Sequence, residues 1–521
     1  MYLTVPQIDW MIDLLSATRP DFFTKVTLNE PSIEGRSVNG IRLHAGPSTS
    51  RNAVLILGGT HARELMNPDS ILDLAVELFL SYENGTDLKY GNRTWPADEV
   101  RIFMEALDIW CVPCTNPDGR QFVLTTDDLW RKNRWVNPNA ARPICHGVDL
   151  NRNADFMWGV TMGQTSCDAC TIVYCGPAAF SEPETRNIRH LLETQDFVTF
   201  LDLHSYSELV LYPWGHAPTQ STDQNKRFTG LQTGTCTPSV PGGYAEYMSS
   251  RDVQRFTTVA RKVVQDIKAV RNRQYTAKAI QGLYPCTGTL SDFAYSRHIK
   301  NPAHAKTFGF SYETGPVVVG TNNLVDEPTS FHPADPKPIQ KEIKAGIVSL
   351  LQASVCAIQL IGSSLFSSGK PLDVMRRFRD EVLSTRPQGR EWIALYERAQ
   401  FGLLSVVMRR PKLLAEATAL LKSAAEWFND EGAQIPEEDI KRALGLIQQL
   451  RAGIQDRGLR IDLAAVAVQV KAARKRTVRA AFEALLRQGP GERSAPARKE
   501  RPVKKGGSPR KRAKARVKRK K

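Results

Sequence analysis

The chain lacks several features that would assign it quickly. Its start, Met1-Tyr2-Leu3-Thr4-Val5-Pro6-Gln7, has no basic segment followed by an apolar one, so no signal peptide is expected. It has no uninterrupted apolar run of the ~20 residues that a spanning helix needs. The nearest stretch, Ala345 to Phe366, contains Gln352, Gln359 and several serines, and reads as a packed helix with no membrane span. There is no internal repeat. There is also no acidic excess: the net charge is +16, and about +13 of it lies in residues 491–521. The rest of the chain is near +3, so the basic character belongs to a tail.

The nine cysteines point two ways. Cys145, Cys167, Cys170 and Cys175 cluster in a loop-like stretch rich in Gly, Thr and Pro, which suggests disulfides and an oxidising compartment. The missing signal peptide favours the cytoplasm, and the sequence leaves the conflict open. Cys111 and Cys114 form a CxxC, but inside an apolar strand-like run, where a redox or metal role is not expected.

What is present is an alternation of strand and helix patterns. A helix is expected over Val5–Ala17. The apolar run Val54–Leu57 ends at Gly58-Gly59-Thr60 and reads as a buried strand. A helix follows, opening near Asn67-Pro68-Asp69. Ile102–Val112 reads as a strand before an Asn116-Pro117-Asp118-Gly119 turn, and Glu182–Glu193 as a helix. Phe197–Leu203 is a strand that delivers His204, and Val253–Val270 a basic helix. Phe308–Tyr312 is a strand that delivers Glu313, and Ile339–Leu360 a closing helix. Such alternation argues for an α/β domain with a parallel or mixed sheet. Ser363 to Pro371 reads as a linker. Beyond it only helical periodicity appears, as in Ile440, Leu444 and Ile447 after Pro436-Glu437-Glu438. From Gln488 the chain has no aromatics and consists largely of Gly, Pro, Ala, Lys and Arg, a disordered composition.

The stretch His61-Ala62-Arg63-Glu64 sits on the turn between a strand end and a helix, where α/β sheets place ligands. An imidazole and a carboxylate at this spacing can ligate one Zn²⁺. Alone the spacing is weak. It is joined by Leu129-Trp130-Arg131-Lys132-Asn133-Arg134 and by Gly147-Val148-Asp149-Leu150-Asn151-Arg152-Asn153. His204-Ser205-Tyr206-Ser207 and Tyr312-Glu313-Thr314-Gly315 complete the set, each at a strand end.

In these motifs and their order, roughly residues 5–360 resemble the zinc carboxypeptidases of the A and B type. The resemblance implies an α/β/α sandwich around a mixed eight-stranded sheet. It implies one zinc held by His61, Glu64 and His204, with Glu313 as general base and Arg131 stabilising an oxyanion. Arg152 with Asn151 matches the clamp on a substrate's terminal carboxylate; Arg63, Tyr206 and the capping Tyr284 match further substrate contacts. Asp149 matches the carboxylate that orients the first zinc histidine. Ser291, just before Asp292-Phe293, matches the base of the specificity pocket, and being small and uncharged it implies preference for neutral or apolar C-terminal residues. The resemblance also pairs Cys145 with Cys170; Cys167 with Cys175 is a possible second bridge.

The domains expected are a catalytic domain over 1–362, a linker at 363–371, a small all-α domain of unknown role over 372–487 and a disordered basic tail over 488–521. No inhibitory pro-segment is expected ahead of the catalytic domain. The tail, 491–521, suits phosphate neutralisation on nucleic acid or another polyanion. Two other readings stand beside a peptide carboxypeptidase. One is an enzyme acting on cell-wall peptides or polyglutamyl side chains. The other is a non-catalytic scaffold for peptide C-termini or nucleic acid.

Overall fold

The computed structural model describes residues 2–46, 51–227 and 244–355, together with 382–487 apart from 384, 409, 428–429, 431 and 455–456. The expected linker at 363–371, the tail from 488 and the end of the helix expected over 339–360 lie outside the described residues.

Ten strands are described: β1 (Phe23–Thr27), β2 (Asn39–Leu43), β3 (Asn52–Leu57), β4 (Leu88–Tyr90), β5 (Arg93–Trp95), β6 (Leu107–Val112), β7 (Phe197–His204), β8 (Leu209–Tyr212), β9 (Thr276–Ala279) and β10 (Phe308–Glu313). Eight form one mixed sheet in the order β1-β2-β6-β3-β7-β10-β8-β9, and β4 and β5 form a separate hairpin. The centre, β6-β3-β7-β10, is parallel. Antiparallel β1, β2 and β8 flank it. Helices cover both faces, giving the expected sandwich.

Strand alternation assigns the faces. On β10, Phe310 meets Phe256 of the helix Ser250–Arg271, and the Tyr312 hydroxyl reaches the Gly346 carbonyl of the helix Lys337–Ser354. Gly309, Ser311 and Glu313 therefore face the other side. There the helix Leu290–Lys300 comes so close that a Cβ on Gly309 would lie 2.4 Å from the Ser291 carbonyl. On β7, Thr199 faces Ser354 across the core, which turns Asp202 and His204 to the Glu313 side.

Two sequence readings are corrected. Ile102–Val112 is not one strand: Ala97–Ala106 is a helix and β6 begins at Leu107. Asp98 and Glu99 favour its N-terminus, and Val100, Phe103 and Met104 are buried at helical spacing. The Asn116–Gly119 turn is a helix start. The Asn116 side chain accepts from the Gly119 N–H, Pro117 occupies the first turn, and the helix runs to Thr125.

After residue 382, five helices follow among the described residues: Pro387–Met408, Pro411–Trp427, Glu437–Gly453, Arg457–Ala472 and Val478–Arg487. Ile440, Leu444 and Ile447 line the inner face of the third, as their spacing predicts, and Ile440 and Ile447 are buried. The first packs on Ala97–Ala106 and Ser250–Arg271 of the sandwich. Among the described residues no helix is long and apolar enough to cross a membrane.

Candidate active site

The site lies at the carboxyl ends of β3, β7 and β10, three neighbouring strands of the parallel centre. That end of an open α/β sheet is where backbone leaves the core and side chains can converge. His61 and Glu64 sit on the turn after β3, His204 ends β7 and Glu313 ends β10, in register with His204. All four are buried.

His61 Nδ1 lies 2.8 Å from Glu64 Oε1 and 3.0 Å from His204 Nδ1, and His204 Nδ1 lies 3.1 Å from Glu64 Oε2. The outer nitrogens face carboxylates: His61 Nε2 is 3.1 Å from Asp149 Oδ1, and His204 Nε2 is 2.8 Å from Asp202 Oδ2. Asp149 holds the His61 ring proton outside and turns its Nδ1 lone pair inward, while Asp202 lends negative charge to the His204 ring without a hydrogen bond. Two imidazole nitrogens and a carboxylate within 4.8 Å of one another repel unless a cation lies among them. Burial disfavours a charged His204 ring, yet Asp202 and Glu64 outweigh it and raise its pKa well above the imidazole range. The same negative field suits a metal. Two nitrogens and a carboxylate oxygen fit zinc with one position left open, the pattern of a catalytic rather than a structural site.

Asp202 was not singled out from the sequence. Its signal was available: it stands two residues before a strand-end histidine and so shares its face. Thr60 Oγ1 fixes it, donating to Asp202 Oδ1 at 2.7 Å.

The Trp130–Asn133 stretch ties the site to its surroundings. Arg131 Nε donates to Asp149 Oδ2 at 2.9 Å. Lys132 Nζ donates to the carbonyls of Ile144, Ala169 and Thr171, gathering the cysteine loop. Asn133 Nδ2 donates to Glu182 and Glu184, and its Oδ1 accepts from the Val148 N–H just before Asp149. Burial would raise the Asp149 carboxyl, but Arg131, Arg152 and His61 hold it well below the carboxylate range. The loop is closed by a Cys145–Cys170 disulfide, as the resemblance implied. The possible Cys167–Cys175 bridge is not formed: the sulfurs are 4.0 Å apart and Cys175 is a free buried thiol. Cys111 and Cys114 are buried free thiols that burial pushes up to about 12, which fits their place in the core.

Three buried guanidinium groups line the cleft with a nitrogen left over. Arg63 Nε, Arg131 Nη2 and Arg152 Nη2 have no hydrogen-bond partner. Arg152 is held by the carbonyls of Gln164 and Asn151 and carries the Tyr284 ring over it at 5.6 Å. Gly288 shapes that contact. It takes φ +69°, and a Cβ there would lie 2.1 Å from the Arg152 carbonyl. The Asn151 side chain, unlike its carbonyl, does not bond Arg152. Its amide nitrogen is 3.1 Å from His204 Nε2, and its oxygen accepts from the Leu290 N–H. Arg63 stacks on Phe331 at 4.3 Å, and Phe331 packs on Tyr206 at 4.9 Å. Phe331 was also not anticipated, because it lies far along the chain and no local pattern marks it. Buried cations with unpartnered donors amount to an anion-binding cleft.

Burial pushes the Glu313 carboxyl up to about 8, with His204 and Arg131 pulling the other way. Ser291 is buried, its hydroxyl donating to the Phe310 carbonyl and lying 2.7 Å from Ser311 Oγ. Beside it, Asp292 Oδ2 accepts from the Gly215 N–H while Oδ1 has no partner. Leu209, Leu211, Ile280 and Cys286 form an apolar cluster next to Tyr284.

Comparison with known proteins agrees with this geometry. The zinc carboxypeptidase family profile matches residues 8–318. The zinc carboxypeptidase A 1 of Anopheles gambiae is 27% identical over 356 residues, 68% of this chain and 68% of that protein. The carboxypeptidase B of Helicoverpa zea is 34% identical over 219 residues, 41% of this chain and 47% of that protein, so the match spans about half of that relative. An inactive metallocarboxypeptidase, ecm14 of Talaromyces marneffei, is 35% identical over 196 residues, 35% of this chain and 30% of that protein. The crystal structure of thrombin activatable fibrinolysis inhibitor superposes with a TM-score of 0.52 at 22% identity, covering 67% of this chain and 74% of that one. At that identity the likeness is one of fold.

Proposed function

We propose, from the premise that this chain belongs to the zinc carboxypeptidase family, that it is an active exopeptidase hydrolysing the C-terminal peptide bond of peptides or proteins. The observation that carries this reading is the convergence of a His61–Glu64–His204 donor set, a separate buried carboxylate at Glu313 and unpartnered guanidinium groups in one cleft.

His61, Glu64 and His204 would hold one zinc ion, which when bound supplies Lewis acidity and lowers the pKa of a bound water toward ~7. Glu313 takes the proton from the attacking water and returns it to the leaving amine. Arg131 keeps Nε on Asp149, so its Nη2 is free for the charge that develops on the carbonyl oxygen. Arg152 binds the substrate's terminal carboxylate, and Tyr284 closes over it. Arg63, Tyr206 and Phe331 form a wall against the residues upstream of the cleaved bond.

The test combines metal analysis with peptides. One zinc per chain is expected, with hydrolysis lost on chelation and restored by zinc. A peptide with a free C-terminus should be cut, and the same peptide with a C-terminal amide spared. Zinc-loaded protein that cuts neither would place the chain with the inactive relatives.

The side chain removed should be neutral. Ser291 and Ser311 offer hydroxyls and no counter-ion, and burial pushes the neighbouring Asp292 up to about 7, which weakens it as one. Burying an unpaired ammonium there would cost several kcal/mol. In Ser291→Asp the new carboxylate would meet the Phe310 carbonyl and turn toward the pocket. The kcat/KM ratio should then shift toward C-terminal Lys and Arg by roughly tenfold or more. The check is a competition among peptides ending in Phe, Leu, Lys and Arg. Wild-type preference for Lys or Arg would refute the neutral pocket.

A further inference from the structure

The five helices after residue 387 surround a cavity of about 410 Å³. Each contributes to its wall, through Trp392, Leu421, Trp427, Leu446, Val470 and Phe482 among others. These large apolar side chains point inward yet remain only half-buried, whereas their counterparts in the sandwich core are closed off. Ile435, Ile440 and Val478 form a buried cluster, of which Ile435 and Ile440 also belong to the wall. The middle of the bundle is not filled by the described residues. The volume falls in the range of ligand pockets, roughly 300–1,000 Å³.

The polar side chains on the wall are few, chiefly Tyr396, Asp439, Gln469 and Arg476. Asp439 is satisfied by Arg442 and Ser423. Arg476 and Ala472 are both exposed, so the cavity opens to solvent beside them. Arg474 pairs with Glu437 at 3.2 Å. Neither Lys475 nor Arg476 pairs with a carboxylate among the described residues. An apolar interior excludes ligand atoms that need hydrogen bonds, because nothing there would satisfy them. A cationic mouth calls for an anion at the end that stays wet.

We propose that residues 387–487 form a binding site for a fatty acid, with the aliphatic chain in the cavity and the carboxylate at Arg476. The site is separate from the zinc cleft, and the proposal does not depend on the peptidase reading.

The probe is 9,10-dibromostearate, added to full-length protein stripped of lipid. Its bromines quench tryptophan fluorescence at contact, and Trp392 and Trp427 lie in the wall. Saturable quenching at one ligand per chain is expected, and it should shrink in the Trp392→Phe, Trp427→Phe double variant. Arg476→Glu should weaken binding roughly ten- to hundredfold while peptide hydrolysis and the melting temperature stay unchanged. The methyl ester of the probe should bind more weakly by a similar factor. Absence of saturable quenching, or quenching equal for acid and ester and indifferent to Arg476→Glu, would overturn the proposal. Binding to phosphatidylglycerol vesicles with none to the monomeric acid would overturn it in favour of a membrane contact. Pairing of two chains in native mass spectrometry with no bound acid would overturn it in favour of a helix-binding groove.

Discussion

Glu313→Gln is expected to keep one zinc per chain and to lower kcat by about a thousandfold, within the range for loss of a general base. The two side chains have the same shape, so the fold around β10 should not change. Glu313 stands outside the His61–Glu64–His204 set and only beside it, in register with His204. Glutamine cannot accept the proton, but it removes no ligand. Glu64→Gln should behave differently, because it weakens the donor set itself and lowers zinc content. Measuring zinc and turnover on both variants separates the roles. Near-wild-type turnover in Glu313→Gln would remove Glu313 as the base. Loss of zinc in that variant would make it a ligand instead. The experiment also bears on the inactive relatives. A wild type as slow as its Glu313→Gln variant, with zinc in place, would show that the constellation has been kept without its activity.

Much of this site could be read from the chain because its parts are short and local. A strand ends, the next residue is His or Glu, and the period of two assigns its face. His204 and Glu313 stand out at strand ends in this way, His61 and Glu64 by their spacing on the turn after a strand, and the family resemblance joins them; the structure brings the four together. Asp202 obeys the same rule but was passed over as part of an apolar strand. Phe331 had no rule to obey: its place against Arg63 and Tyr206 depends on the path of the chain after β10. The misread run Ile102–Val112 shows the limit of short apolar stretches, which suit a buried helix end and a buried strand equally. Helical periodicity is visible after 387, and the one face read from spacing, Ile440, Leu444 and Ile447, does turn inward. The cavity among them was not visible, since spacing says which face is apolar and nothing about whether the faces meet.

Arg152→Ala is the variant that tests the exopeptidase reading most directly. The guanidinium is buried, oriented by the carbonyls of Gln164 and Asn151, and left with Nη2 unpartnered. A buried cation with a spare donor calls for an anion, and the terminal carboxylate of a peptide is the anion that an exopeptidase must find. Truncating one side of a buried charge pair costs about 2–5 kcal/mol, so kcat/KM for a free-acid peptide should fall by roughly 10²–10³. Most of the loss should appear in KM if Arg152 serves binding alone. A fall in kcat as well would mean that it also positions the bond for attack. Arg152→Lys should recover little, because an ammonium lacks the planar fork and would lose the hold of the two carbonyls. The decisive quantity is the ratio of free-acid to amide hydrolysis. It should be large in the wild type and collapse toward unity in Arg152→Ala, with zinc content unchanged. A ratio that stays high in the variant would move carboxylate recognition to another cation, and Arg63 and Arg131 are the two with donors to spare.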